Sequence, residues 1–395
     1  MKVLHTSDWH LAQTLKQVQR IDDQLGRVDE VLTICDEREV DLLLVAGDVV
    51  DETSPTKMPR LVNQLGALLR PRLERGLTTV FLAGNHDRAW IFPLLQGVGE
   101  LFAGTGESAR LHFSSKPELR MVRSARGERL RLMLLPYPWP WNYSLESVQG
   151  DIAAERRRRI AMAVQETVER LSADARAGEK VPTILAAHML VTGVEVKHRE
   201  LTEAEDVPVP QVSLPNYPYV ALGHVHQPQA IGGRPHWRYS GSVERIDFGE
   251  AGEDKSVVLV EVGKTDLEAE PEVIGVNATQ LVAIEWRPGD SIEEKCRVVP
   301  DGAIAKLTIY LERGMTAQQV QSHARRLIGP RLLFPPAIEW LGTSSARAEG
   351  AAALERLDWQ EAVRLFVASQ VADDDPLREH ILTAMEQLIA EEASA

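Results

Sequence analysis

Five short runs of Val, Leu, Ile and Ala each stop at a residue able to bind a metal ion. Val3–Thr6 leads into Asp8 and His10, and Asp41–Ala46 passes through Gly47 to Asp48. Thr79–Ala83 passes through Gly84 to Asn85 and His86, Thr183–Ala187 ends at His188, and Tyr219–Leu222 passes through Gly223 to His224 and His226. Apolar runs this short read as strands, and their lack of polar alternation implies burial on both faces. The segments between them at about 19–38, 57–75 and 150–175 have helical periodicity and are predicted to supply the covering layers. The expectation is a layered α/β sandwich with ligands on loops at strand ends, where a preceding glycine lets backbone and ion approach closely.

After about residue 270 the pattern changes. Strand-like runs at Gln280–Trp286, Ala305–Leu311 and Ala337–Leu341, with a helical stretch at Thr316–Leu327, predict a small α+β unit. A Ser-, Ala- and Gly-rich stretch (344–353) then leads to two short helical segments, Leu357–Ser369 and Pro376–Ala390. The second places Leu377, Ile381, Leu382, Met385, Leu388 and Ile389 at helical spacing, with Asp375 as cap and Pro376 at its first position. Fifty-odd residues bury too little surface to stand alone, so these helices are expected to dock on a partner or to pack back on their own chain. The predicted division is 1–265, 270–343 and 344–395.

Carboxylates, one amide oxygen and imidazoles, without sulfur, suit Mn²⁺, Fe²⁺ or Zn²⁺. The two cysteines, Cys35 and Cys296, lie far apart and form no Cys-x-x-Cys pair, which excludes a thiolate zinc site or a disulfide framework. Seven candidate ligands (Asp8, His10, Asp48, Asn85, His188, His224 and His226) exceed the needs of one ion. They fit two ions sharing a carboxylate, about 3.5 to 4 Å apart, as used for in-line displacement at phosphorus.

This ordered set resembles the calcineurin-like metallophosphoesterases. The strings His5-Thr6-Ser7-Asp8-Trp9-His10-Leu11, Ala46-Gly47-Asp48-Val49 and Ala221-Leu222-Gly223-His224-Val225-His226 are similar to a bacterial branch of DNA nucleases that work with a coiled-coil ATPase. The resemblance spans essentially the whole chain, with its specific motifs in the first 250 residues. It implies a metallophosphoesterase sandwich, a capping domain that positions DNA, and C-terminal helices that bind the ATPase coiled coil. Position by position, it implies one metal on Asp8, His10 and His226, another on Asn85, His188 and His224, and Asp48 as the bridge, with Mn²⁺ as the metal. His86 would be catalytic, stabilising developing charge or protonating the leaving oxygen. Asp87 would orient a histidine or cap its own turn, the turn being the favoured reading. Asp51 stands where other branches carry a histidine, which leaves the balance of exo- and endonuclease activity open. Tyr239-Ser240-Gly241-Ser242 with Glu244 is expected to shape the substrate groove. By the same resemblance, the helix carrying Met58, Leu61, Val62, Leu65, Leu68 and Leu69, together with Trp90–Phe102, forms a homodimer interface.

Other features have plainer readings. His5 reads as a packed core histidine, and His112, His198, His236, His323 and His380 as surface residues. Arg156–Arg159 reads as a solvated helix face rather than a phosphate contact, and Trp139-Pro140-Trp141 as packing rather than a platform for unpaired bases. Gly263-Lys264-Thr265 lacks the glycine of a phosphate-binding loop, because position 258 is Val, so any ATP chemistry belongs to a partner. No run of 18 apolar residues occurs and the N-terminus turns polar at once, so neither a membrane span nor a secretory signal is expected and the chain is placed in the cytoplasm, at the nucleoid.

A net charge of −14 argues against coating DNA through bulk electrostatics. Half of it is local, since 344–395 holds 11 acidic and 4 basic side chains, and two divalent ions would bring the rest to about −3. The expected activity is Mn²⁺-dependent DNA cleavage, as a double-strand exonuclease and a single-strand or hairpin endonuclease. Its rivals are a phosphoesterase for small nucleotides or phosphoproteins and a non-catalytic scaffold.

Overall fold

The computed structural model describes residues 1–341 except 53, 55, 89, 104, 146–152, 196–206 and 313–314. The helical segments expected at 357–369 and 376–390, and with them His198 and His380, lie outside the described residues.

Two six-stranded sheets form the body of the chain. The first has the order β12 (Glu272–Val276), β11 (Lys255–Glu261), β1 (Lys2–Thr6), β2 (Leu42–Val45), β3 (Thr78–Leu82) and β4 (Leu111–Ser114), with β1 to β4 mutually parallel. The second has the order β5 (Glu118–Arg123), β6 (Arg129–Leu135), β7 (Thr183–His188), β8 (Val220–Gly223), β10 (Arg234–Tyr239) and β9 (Gln229–Ile231), parallel from β6 to β10. Helices α1 (Ile21–Glu37), α2 (Met58–Glu74), α3 (Ile91–Ala103) and α4 (Ala153–Ala177) join them.

The apolar runs are continuous because both faces of each strand are covered. In β2, Leu42 and Leu44 face the inter-sheet core with Leu132 and Ile184, while Leu43 and Val45 pack with Val31 and Leu32 of α1. In β7, Ile184 and Ala186 point into the same inter-sheet layer, while Leu185 and Ala187 pack with Val164 and Val168 of α4. Each such fully buried Val, Ile or Leu contributes about 1.5–3 kcal/mol relative to exposure.

Register then aligns the strand ends. Thr6, Val45 and Phe81 lie side by side in the first sheet, and His188 sits beside Gly223 in the second. All five ligand-bearing loops therefore leave from the carboxyl ends of neighbouring strands.

Beyond β12, strands β13 (Leu281–Trp286), β14 (Ile304–Leu311) and β15 (Ala337–Trp340) form a separate parallel sheet with α5 (Ile292–Arg297) and α6 (Gln318–Ile328). Its core contains Ile284, Ile292, Leu307, Ile309 and Ala324. A second small cluster seats Leu15 and Val18 against Leu281, Ile304 and Leu333, and Arg331 grips Asp23 with both terminal nitrogens at 2.7 and 2.8 Å. No helix among the described residues is long and apolar enough to cross a membrane.

One histidine departs from the surface reading. His112 is buried in β4, with Nε2 on the Ala109 carbonyl at 3.0 Å and Nδ1 accepting from Arg120 at 3.1 Å. Burial and the neighbouring Arg120 lower its pKa to about 4. His236 and His323 lie partly exposed at the surface, as expected. His5 is packed as expected, its Nδ1 2.9 Å from the Tyr219 hydroxyl, and burial lowers its pKa to about 3.

Candidate metal centre

The loops after β1 and β2 interlock through their backbones. The Asp8 amide donates to the Gly47 carbonyl and the His10 amide to the Asp48 carbonyl, each at 3.0 Å. Asp8, His10, Asp48 and His224 all have positive φ, at 52°, 44°, 51° and 101°, a region unfavourable for side chains with a Cβ. Such strain concentrates where function requires it.

The glycines before the ligands allow close approach, and at Gly223 the neighbour is backbone, since a Cβ there would lie 1.9 Å from the Ala46 carbonyl oxygen. A Cβ on Gly47 would lie 2.0 Å from the His188 ring, and one on Gly84 would lie 2.1 Å from an Asp48 carboxylate oxygen. These two make room for neighbouring candidate-ligand side chains.

All seven candidate ligands converge. Asp8, His10 and His226 bring one donor atom each within 4.8 Å of one another, as do Asp48, His188 and His224, and also His10, Asp48 and His86. The Asn85 side-chain oxygen lies 3.0 Å from His188 Nε2 and 3.1 Å from His224 Nδ1. Asp48 Oδ2 is 3.2 Å from His188 Nε2 and 3.8 Å from His10 Nε2, while its Oδ1 accepts from the His86 amide at 2.8 Å.

The hydrogen-bond partners behind the rings set which nitrogen carries the proton. His10 Nδ1 meets Asp51 at 3.1 Å, His226 Nδ1 meets Glu250 at 2.9 Å, and His188 Nδ1 donates to the Ala46 carbonyl at 2.7 Å. In the neutral rings of His10 and His226 this leaves Nε2 as a lone pair, while His188 Nε2 lies 3.0 Å from the Asn85 oxygen and 3.2 Å from Asp48. His10 Nε2 and His226 Nε2 then face each other at 3.1 Å. Acceptors directed at acceptors repel unless a cation lies between them. Spacings of about 3 Å are also those between adjacent ligands whose bonds to one ion are ~2.1 Å long. The donor set thus fits divalent ions at both clusters.

Charge within the cluster is strongly perturbed. Burial opposes ionisation of Asp48, yet the rings of His188, His10 and His86 hold its pKa well below the usual carboxylate range. Burial likewise opposes charge on His188, but Asp48 outweighs it and raises the pKa to about 9. His86 is the exposed member, its side chain 47% accessible, with Nδ1 2.9 Å from Asp51. Burial is again outweighed, here by Asp51 and Asp48, and its pKa rises to about 9.

Asp87 caps its own turn, the favoured reading, by accepting from the Gly84 amide, and it also accepts from Val49 and Val50, tying the β2 and β3 loops together. Burial, then the charge of Asp48, raises its pKa to about 7. Other supporting residues differ from expectation. Tyr239, Ser240, Ser242 and Glu244 are fully buried and do not line a groove. The Ser240 hydroxyl meets that of Ser7 at 2.8 Å, and Glu244 pairs with Arg20 at 2.9 Å.

Asp51 and Glu250 are the supports that sequence reasoning missed. Asp51 had a positional clue three residues after Asp48, but Glu250 sits in an isolated turn with no motif. Burial works against the Glu250 charge, and His226 with Lys255 holds its pKa well below normal. Glu250→Gln is expected to weaken divalent-metal binding about 10- to 100-fold, the usual effect of losing a carboxylate that orients a candidate metal-binding histidine. Calorimetric titration showing wild-type affinity would refute that role.

Two stacked α/β sheets with a sulfur-free cluster of nitrogen and oxygen ligands at their carboxyl edges define a metal-dependent phosphoesterase, and residues 1–228 match the Calcineurin-like phosphoesterase family. The SbcD component of the SbcCD nuclease from Escherichia coli K12 is 30% identical over 72% of this chain and 70% of its own length. The SbcD of Bacillus subtilis is 30% identical over 83% of this chain and 82% of its own, and that of Rhodobacter capsulatus 31% identical over 66% of each. The chain belongs to the calcineurin-like phosphoesterases and, within them, to the SbcD nucleases.

Proposed function

We propose that this chain hydrolyses DNA phosphodiesters at a two-ion centre. Asp8, His10 and His226 would hold one ion and Asn85, His188 and His224 the other, with Asp48 shared between them. The observation that most supports this reading is the pair of imidazole lone pairs that His10 and His226 aim at each other, beside an adjoining cluster of Asp48, His188 and His224 donors. Two divalent ions, with Mn²⁺ proposed, would neutralise the phosphodiester and make a water molecule acidic enough to attack phosphorus.

The remaining work falls to the protein. Asp51 and Glu250 hold the rings of His10 and His226 in one tautomer and orientation. His86, anchored through Nδ1 on Asp51, keeps Nε2 available to give a proton to the leaving oxygen. Asp87, by fastening the loops of Asp48 and Asn85 to each other, keeps the two halves of the centre in register.

The substrate reading is a double-strand exonuclease and single-strand or hairpin endonuclease. End-labelled duplex, hairpin and circular single-stranded DNA, with a cyclic nucleotide as comparison, would be incubated with the purified chain in Mn²⁺ or Mg²⁺. Loss of the DNA substrates is expected, and cleavage of the cyclic nucleotide alone would overturn the assignment.

The relatives' name marks them as one component of the SbcCD nuclease. We accordingly propose an SbcC-type coiled-coil ATPase as partner, bound through 357–369 and 376–390, with 270–343 capping the nuclease domain (1–265) and positioning DNA. Work on chromosomal DNA ends would place the chain in the cytoplasm, at the nucleoid. A homodimer is proposed through the α2–α3 region, where Trp90 is 47% and Leu94 55% exposed. Light scattering at micromolar concentration should give twice the chain mass, and a monomer would count against the dimer.

A further inference from the structure

The ligand cluster opens into a cleft of about 790 Å³ that Asn85 and His86 share with Trp139, Trp141, Arg88 and Lys116. The indoles of Trp139 and Trp141 stack with centroids 5.0 Å apart and planes 9° from parallel. Trp139 in turn meets Tyr137 edge-on at 5.0 Å, and Tyr137 lies 5.6 Å from the His224 ring. A continuous line of rings therefore runs from a candidate metal ligand to solvent.

The end of that line is held firmly. Trp141 sits in a short helical turn, Pro140–Tyr143, with Pro138 and Pro140 fixing the backbone before it and Asn142 donating to the Tyr137 carbonyl at 3.1 Å. Yet 59% of Trp141 is exposed. A packing role accounts for the inner face of the pair and leaves an outer indole face in water, which is unfavourable unless something stacks there.

Charge points to what that is. In a chain of net −14, Arg88 and Lys116 are exposed on this cleft and pair with no acidic group among the described residues. The cleft's own carboxylates are committed, Asp51 to His10 and His86 and Asp87 to three backbone amides. Cations beside an aromatic face match a nucleotide, whose phosphate is anionic and whose base has a π surface.

We propose that Trp139 and Trp141 form a stacking platform for one unpaired nucleobase beside the scissile phosphodiester, with Arg88 and Lys116 holding the flanking phosphates. The inference rests on the DNA-cleavage reading above and makes it specific. A base inside a blunt duplex is already stacked and paired, so it gains nothing from the platform. A base in a hairpin loop or single strand gains a partner. The pair would thus help select unpaired DNA for endonucleolytic cutting.

The test compares wild type, Trp141→Ala and Trp141→Phe as full chains. In Mn²⁺, Trp141→Ala should raise the KM for hairpin-loop cleavage about 5- to 100-fold, with a much smaller effect on kcat and on the KM for blunt duplex. Trp141→Phe should recover most of the loss, since it restores a ring. In EDTA, binding of a single-stranded oligonucleotide with 2-aminopurine at one position should change the probe's fluorescence in wild type and Trp141→Phe, and not in Trp141→Ala. An abasic site at the stacked position should weaken wild type to the level of Trp141→Ala and leave that variant unaffected. Lys116→Ala should make the salt dependence of strand binding shallower by about 0.7 in log–log slope.

Equal losses on loop and duplex, or no loss on either, would overturn the platform. So would a change in the sedimentation of Trp141→Ala with an unchanged loop KM, which would assign the indoles to a protein interface. If wild type cuts DNA and Trp141→Ala matches it, only the platform falls. If wild type cuts no DNA, the functional reading falls first.

Discussion

Asp48→Asn is expected to lower phosphodiester cleavage by roughly 10³-fold or more, because loss of bound ions forfeits several kcal/mol of charge stabilisation at phosphorus. The geometry explains why so small a change has so large an effect. Asp48 Oδ1 receives the His86 amide proton, so an asparagine would keep its oxygen there and turn its NH₂ toward His188 and His10. The amide would then donate to ring lone pairs needed by the ions, and the site would lose its most central negative charge. The fold should survive, since the substitution is isosteric and the loop remains tied by Asp87 to Val49 and Val50. Calorimetric Mn²⁺ titration and hairpin cleavage read the two effects. Two ions bound at wild-type affinity would show that Asp48 does not bridge.

His86→Ala is expected to retain both ions and DNA binding while cleavage falls about 10²- to 10⁴-fold, the usual contribution of a positioned general acid. His86 is the exposed histidine of the cluster, and its anchor Asp51 keeps its other hydrogen bond to His10 when the ring is removed. The ligand framework therefore stands without it. His86 does lie within reach of His10 and Asp48 in a third grouping of donors, which supplies the competing outcome. If His86→Ala bound only one ion, the residue would be a ligand. If it cut hairpin DNA at the wild-type rate, the proton-donor role would be gone.

Much of this site was legible because burial leaves a periodic mark. Leu42 to Val45 had to be apolar on both faces, and the abrupt change to Gly47-Asp48 marked where the strand met something polar. The same reasoning located His188 and His224. The stripes of α1, α2 and α4 were visible because one face of each packs on a sheet.

Supports such as Glu250 were not legible, because a hydrogen bond from His226 to a residue 24 positions later follows no period. Strand β5 hid for another reason. It is an edge strand whose residues Glu118 to Met121 are only half-buried, so its charged side chains mask the alternation. His112 was misjudged because nothing local tells a neutral buried imidazole held by Arg120 and a backbone carbonyl from a solvated one.

The left-handed backbone at Asp8, His10, Asp48 and His224 bears on how this chain can change over time. Each such residue costs of order 1 kcal/mol in backbone strain. A glycine would relieve it but lose the hydrogen bonds the side chain accepts, as Asp8 does from the His224 amide and Asp48 from the His86 amide. Drift toward glycine at these positions is therefore opposed by the fold as well as by the chemistry, and stabilising changes should accumulate elsewhere in the chain.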